Sequence, residues 1–151
     1  MEFQVPTMQA SQRWIDWLGL EVELRGDGLM IARLDQPRVE HFDGDGAINA
    51  AVSYAVAEIA GTGAAVYPVS DLIDHMTSVV TQARIEYDHP SHDGLIATAM
   101  LNPGAAARER ATLLDGHDVI IDVNVLMNDL NGLPVGRAGF SVSLRHRRHI
   151  D

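Results

Sequence analysis

Residues 47 to 65 read Ala-Ile-Asn-Ala-Ala-Val-Ser-Tyr-Ala-Val-Ala-Glu-Ile-Ala-Gly-Thr-Gly-Ala-Ala, a run apolar nearly all round and long enough for four or more helical turns. A helix without a polar face is stable only when it is covered on every side. Its side chains are mostly those of alanine and glycine, which let backbone approach backbone closely. A tightly curved sheet can therefore enclose this helix and need not merely support it.

The rest of the chain supplies such a sheet. Leu20-Glu21-Val22-Glu23-Leu24 alternates apolar and acidic residues, Gly26-Asp27-Gly28 makes a turn, and Leu29 to Leu34 resumes, which predicts a β-hairpin. Four more strand-like runs follow: Ser78 to Tyr87, Gly94 to Leu101, Val119 to Met127 and Val135 to Arg145. Asp88 to Gly94 and Asn128 to Gly132 read as turns. Connections of hairpin length favour antiparallel pairing, because parallel neighbours need crossover helices. The stretch from Asn102 to Asp118, with Pro103-Gly104 and Gly116, is expected to be an irregular excursion carrying Arg108 and Arg110. The fold class expected is α+β, a curved antiparallel sheet wrapped around a long central helix.

Ahead of the hairpin, Ser11 is a candidate N-cap. Trp14, Trp17 and Leu18 then fall on one face of a short helix over residues 8 to 18, ended by Gly19 and expected to pack on the domain or on a partner subunit. Residues 1–19 are thus assigned to an N-terminal amphipathic helix and 20–151 to a single domain, consistent with a chain of 151 residues that is 46% hydrophobic.

Composition narrows the chemistry. The chain has no cysteine, and all 11 of its Lys+Arg residues are arginine, which removes thiolate metal sites, cysteine nucleophiles, Schiff-base lysines and a lysine-bearing phosphate loop. A formal net charge of −10 opposes nonspecific binding to nucleic acid or to an anionic membrane. The start, Met1-Glu2-Phe3-Gln4-Val5-Pro6, lacks a secretory pattern and no run of apolar residues is long enough to span a bilayer, so a soluble, cytoplasmic protein is expected. The one basic cluster, Arg145-His146-Arg147-Arg148-His149, reads as a solvated tail.

Glu58 is the anomaly. A carboxylate between Ala57 and Ile59 on an all-round apolar helix is costly to bury unpaired, so it must line a cavity, meet a partner or rise in pKa, unless it simply reaches solvent. The histidines invite a metal reading that their spacing does not support: His89 and His92 stand three apart around Pro90, and Asp43-Gly44-Asp45-Gly46 lacks the closing glutamate of a calcium loop, Tyr54 standing in its place. No serine sits in a Gly-x-Ser-x-Gly elbow. No metal and no cofactor are expected.

The element order together with this helix resembles the hotdog-fold thioesterases, particularly the phenylacetate-pathway and Arthrobacter-type 4-hydroxybenzoyl-CoA thioesterase branch, over roughly residues 20 to 146. There the helix opens with His-Gly-Gly, followed by Leu-Ala-Asp or Leu-Ala-Glu. Here Asn49-Ala50-Ala51 is followed, at the same spacing, by Val56-Ala57-Glu58. The resemblance implies Glu58 as the catalytic acid and Thr62, one turn later, as its assistant. The departure lies at the start of the motif, where asparagine replaces histidine and alanines replace the glycines.

The function expected is hydrolysis of an acyl-CoA or acyl-carrier thioester. Glu58 would act as general base or nucleophile and the Ala50 amide as oxyanion donor. Asn49 would hold the carbonyl or the water, Thr62 would orient the carboxylate, and Arg108 and Arg110 would be available for coenzyme A phosphates. The rival reading is a noncatalytic acyl-ligand-binding or assembly module, motivated by the Asn49-Ala50-Ala51 departure. A dehydratase would pair the acid with a histidine that the motif lacks. Hotdog proteins usually join sheet edges, so a homodimer or a dimer of dimers is expected, with sites at the subunit boundary.

Overall fold

In a computed structural model, which describes residues 8–25 and 28–147, the alanine-rich run forms helix α2 (Ala50–Val66), continued by a 3-10 segment (Tyr67–His75). Asn49 fixes where the helix starts: its Oδ1 accepts the Ala51 amide at 2.9 Å, so Ala47 and Ile48 stay outside. A shorter helix, α1 (Met8–Leu18), precedes the strands.

One sheet of six strands encloses α2: β1 (Glu21–Arg25), β2 (Leu29–Leu34), β3 (Met76–Tyr87), β4 (Leu95–Met100), β5 (Val119–Asn128) and β6 (Pro134–His146). Their spatial order is β1-β2-β4-β5-β6-β3, and every neighbouring pair is antiparallel. The hairpin and the four later strands stand where their β-branched and alternating runs put them. Sequence neighbours are not all spatial neighbours, however, because β3 pairs with β6 at one edge while β4 pairs with β2 in the interior.

The sheet's concave face and α2 share one core. Along β5 burial alternates strictly, with Val119, Ile121, Val123, Val125 and Met127 inside and Ile120, Asp122, Asn124 and Leu126 outside, as the two-residue period of a strand requires. The small residues of α2 are there for contact. A Cβ on Gly61 would lie 2.8 Å from the Phe140 ring and 3.2 Å from a Val125 methyl. Gly61→Leu is accordingly expected to destabilise the fold by about 1–3 kcal/mol through overpacking, read as a lower urea midpoint at unchanged m-value.

Three expectations need correction. Residues 103–114 are not an irregular excursion but a helix, α3 (Pro103–Leu114), in which Asn102 caps the Gly104 and Ala105 amides at 2.9 and 3.3 Å and Pro103 occupies the first turn. Asn-Pro-Gly was a helix start, where proline needs no amide partner. Second, α1 is already helical at Met8, so Ser11 lies inside it and is no N-cap. Of the two surfaces expected for its indoles, their own domain is not the one: Trp14 and Trp17 are 48% and 64% exposed on this chain and stack on one another at 5.3 Å, while Ile15 and Leu18 face the core. Third, the basic cluster is only in part a tail. β6 runs to His146, whose Nε2 lies 2.8 Å from the Leu113 carbonyl, and Arg147 donates its amide to His75 and its Nε to Met76, each at 2.9 Å. Arg148 and His149 lie outside the described residues. Among the described residues no helix is long and apolar enough to cross a membrane.

Candidate active site

Ala50, Tyr54, Glu58 and Thr62 recur every fourth residue of α2 and so run as a stripe along one side of it. Glu58 is half-buried, and no ion pair or hydrogen bond holds its carboxylate among the described residues. Burial therefore pushes its pKa above the usual carboxylate range. Tyr54, one turn earlier, sets its ring edge-on to Phe140 with centroids 5.8 Å apart, and its hydroxyl is pushed up by burial and then by the Glu58 charge. The Thr62 hydroxyl donates to the Glu58 main-chain carbonyl at 2.7 Å, the usual bond of a helical threonine to the preceding turn.

At the N-terminus of α2 the amides are divided between cap and solvent. The Ala51 amide goes to Asn49, whereas the Ala50 amide, on an exposed residue, has no partner among the described residues and sits at the positive end of the helix dipole. The Tyr87 hydroxyl, from the end of β3, donates to the Ala50 carbonyl at 3.0 Å. Because the Asn49 Oδ1 is committed to the cap, only its NH2 group remains to meet a ligand.

Asn49 is placed by His41, whose carbonyl accepts the Asn49 amide at 2.8 Å. The imidazole is buried, and its Nδ1 accepts the Arg38 amide at 3.0 Å, a bond that only the neutral ring can make. Burial, then the Arg38 charge, holds the His41 pKa below its ordinary value. The unfolded chain thus binds a proton at His41 more readily than the native one. The stability this neutral ring contributes is complete above the ordinary value of about 6.5 and is lost as pH falls below it. His41→Asn, which keeps an oxygen acceptor for Arg38, should shrink the fall in melting temperature between neutral and mildly acid pH.

A cavity of about 290 Å³ opens beside Ala50. Exposed residues, among them Asp43, Asp88 and His89, surround its mouth, and buried Leu95, Met127 and Val135 close its floor. The two turns on either side are latched together, His92 Nδ1 lying 2.9 Å from the Gly46 carbonyl and Ile48 donating its amide to Ser91 at 2.7 Å.

The arginines expected to meet coenzyme A lie elsewhere, on α3, which packs against β5 and the 3-10 segment beyond the C-terminus of α2. Arg110 is engaged there, forming a bidentate pair with Asp71 at 2.6 and 2.8 Å and a bond to the Pro68 carbonyl at 2.9 Å. Arg108 is exposed and in no ion pair among the described residues. Asn49 and Ala50 therefore form one cluster, Glu58 stands two turns away with Thr62 behind it, and the arginines lie past the other end. The sequence reading missed Tyr54, Ser53 and Tyr87. The spacing of Tyr54 one turn before Glu58 was a usable signal for the first of these.

A curved antiparallel sheet around one long helix is the hotdog fold, and solved structures share it. A protein of unknown function from Chlorobaculum tepidum superposes with a TM-score of 0.76 at 14% identity, over 93% of this chain and 90% of that one. A thioesterase from Haemophilus influenzae gives 0.70 at 15% identity over 98% and 97%. The PaaI protein of the phenylacetic acid degradation operon of E. coli gives 0.66 at 15% identity over 93% and 92%. No protein-family model matches the sequence and no curated protein matches it significantly, so the likeness is one of structure.

Proposed function

We propose that this chain is a thioesterase acting on acyl-CoA or acyl-carrier thioesters. The observation that carries this reading is an unpaired, half-buried Glu58 with a raised pKa, on the same helix whose first amide, that of Ala50, is left free at the positive end of the dipole. The thioester carbonyl oxygen accepts from the Ala50 amide. Glu58 either takes a proton from the attacking water or attacks directly. In the first case the C–S bond breaks and the thiolate takes the proton held by Glu58; in the second the thiolate leaves behind an acyl-Glu58 anhydride, which water hydrolyses to the free acid and the Glu58 carboxylate, the water's remaining proton going to the thiolate. The Asn49 NH2 group is in place to donate to the same oxygen or to the water. Thr62 acts only by bracing the Glu58 backbone. Arg108 is the freer of the two arginines to meet a phosphate, since Arg110 would have to leave Asp71.

Eight residues of helix separate Ala50 from Glu58, a rise of about 12 Å, too far for both to act on one carbonyl. The reading therefore needs a second chain whose Glu58 faces this chain's Ala50. β3 offers the means. It is a 12-residue edge strand with β6 on one side only, and eight of its 12 residues are exposed. A homodimer, or a dimer of dimers, is the assembly proposed, and a monomer by light scattering at micromolar concentration would overturn it.

One observation favours the noncatalytic alternative: Asn49 takes the Ala51 amide into the cap, and Ala50 carries a Cβ where a family glycine would leave a more open approach. Thiol release across a panel of acyl-CoAs separates the two readings. Turnover supports the enzyme, whereas saturable binding without release supports an acyl-binding module.

A further inference from the structure

We propose that the cavity beside Ala50 takes a short, uncharged acyl group bearing a hydroxyl, and that Ser53 is the residue that selects it. The inference rests on the thioesterase reading only for where the scissile carbonyl lies.

Ser53 is 7% exposed, lines the cavity, and its hydroxyl has no hydrogen-bond partner among the described residues. No fully buried side-chain oxygen among the described residues lacks a partner, so this oxygen is reached by water through the cavity, and a ligand that displaces the water must supply its bond. The ordinary solution on a helix is a bond to the carbonyl one turn back, and Thr62 of the same helix adopts it with Glu58 at 2.7 Å. Ser53 does not, although its own amide reaches the Asn49 carbonyl at 3.0 Å. Its oxygen opens into the cavity, where a ligand group can supply the missing partner.

Size and charge define the rest of the ligand. A volume of about 290 Å³ lies at the lower limit of ordinary ligand pockets, and buried Leu95, Met127 and Val135 line it, so an acyl chain as long as palmitoyl has no room. Asp43 and Asp88 line the same cavity in a chain of formal net charge −10, which disfavours an acyl group ending in a second carboxylate. Ser53 stands one turn from Ala50, about 4.5 Å along the helix, which matches the reach from a thioester carbonyl on the Ala50 amide to a hydroxyl on the β- or γ-carbon.

The test compares 3-hydroxybutanoyl-, butanoyl-, palmitoyl- and succinyl-CoA by thiol release with the full chain. Wild type is expected to favour the hydroxyacyl thioester over butanoyl-CoA by ~10-fold or more in kcat/KM, and to disfavour the palmitoyl and succinyl thioesters. In Ser53→Ala, which suits a helix and should fold, the hydroxybutanoyl-to-butanoyl ratio should fall to near unity. Equal rates on those two substrates in wild type, an unchanged ratio in Ser53→Ala, or palmitoyl-CoA turned over as well as the hydroxyacyl thioester would each overturn the proposal. If no thioester is hydrolysed, the thioesterase reading fails by itself. Calorimetric titration of wild type and Ser53→Ala with the same two C4 thioesters still decides the cavity, a preference for 3-hydroxybutanoyl-CoA that Ser53→Ala abolishes supporting it and equal affinities overturning it.

Discussion

Glu58→Gln is expected to lower thioester hydrolysis by at least ~100-fold while leaving fold and assembly intact, the scale of losing a positioned acid-base group. Glutamine keeps the shape of the side chain and removes the charge. The stability arm of this prediction has a definite sign. Burial raises the folded pKa of Glu58, so its favourable contribution is present below the unfolded value and is lost as pH rises through the folded one. At neutral pH the ionised group is a liability, and Glu58→Gln should melt at the same temperature as wild type or higher. Full turnover by the variant would make Glu58 structural and remove the central residue of the proposed mechanism. A variant that melts well below wild type would mean that the carboxylate has a stabilising partner, such as one supplied by a second chain.

What the sequence disclosed and what it hid divide along physical lines. α2 was legible because a run with no polar face has few places to go, and β5 because its alternation survives intact in the fold. β3 was legible as a strand only through its β-branched residues, since its burial does not alternate, and its pairing with β6 joins residues about sixty apart, which no local pattern encodes. The α1 periodicity was read correctly but phased wrongly: Ile15, not Trp17, shares the inner face with Leu18. In the site, Glu58 announced itself as a charge among apolar neighbours. Ser53 did not, because a serine in a helix is unremarkable until its face and its missing partner are known. Tyr87 reaches Ala50 from 37 residues away, and Arg110 finds Asp71 across 39, contacts that exist only once the sheet has closed.

Ala50→Pro should cut kcat by about 100- to 1000-fold, the scale of removing one oxyanion donor, without unfolding the helix. The substitution deletes the single amide proton in question, and Ala50 is the first helical residue, where proline is favoured because that amide has no partner within the helix. The residue before it is also compatible. Asn49 has φ −56° and ψ 138°, within the extended region that a following proline demands. A folded, dimeric variant with normal kcat would remove the Ala50 amide from the mechanism. Mixing then locates the site. If each site joins Ala50 of one chain to Glu58 of the other, exchanging subunits between Ala50→Pro and Glu58→Gln creates heterodimers with one intact site, and about a quarter of wild-type activity should return from two inactive stocks. If the two groups acted within one chain, every chain in the mixture would carry a lesion and nothing would return. The result distinguishes a shared site from a single-chain one even though neither variant is active alone.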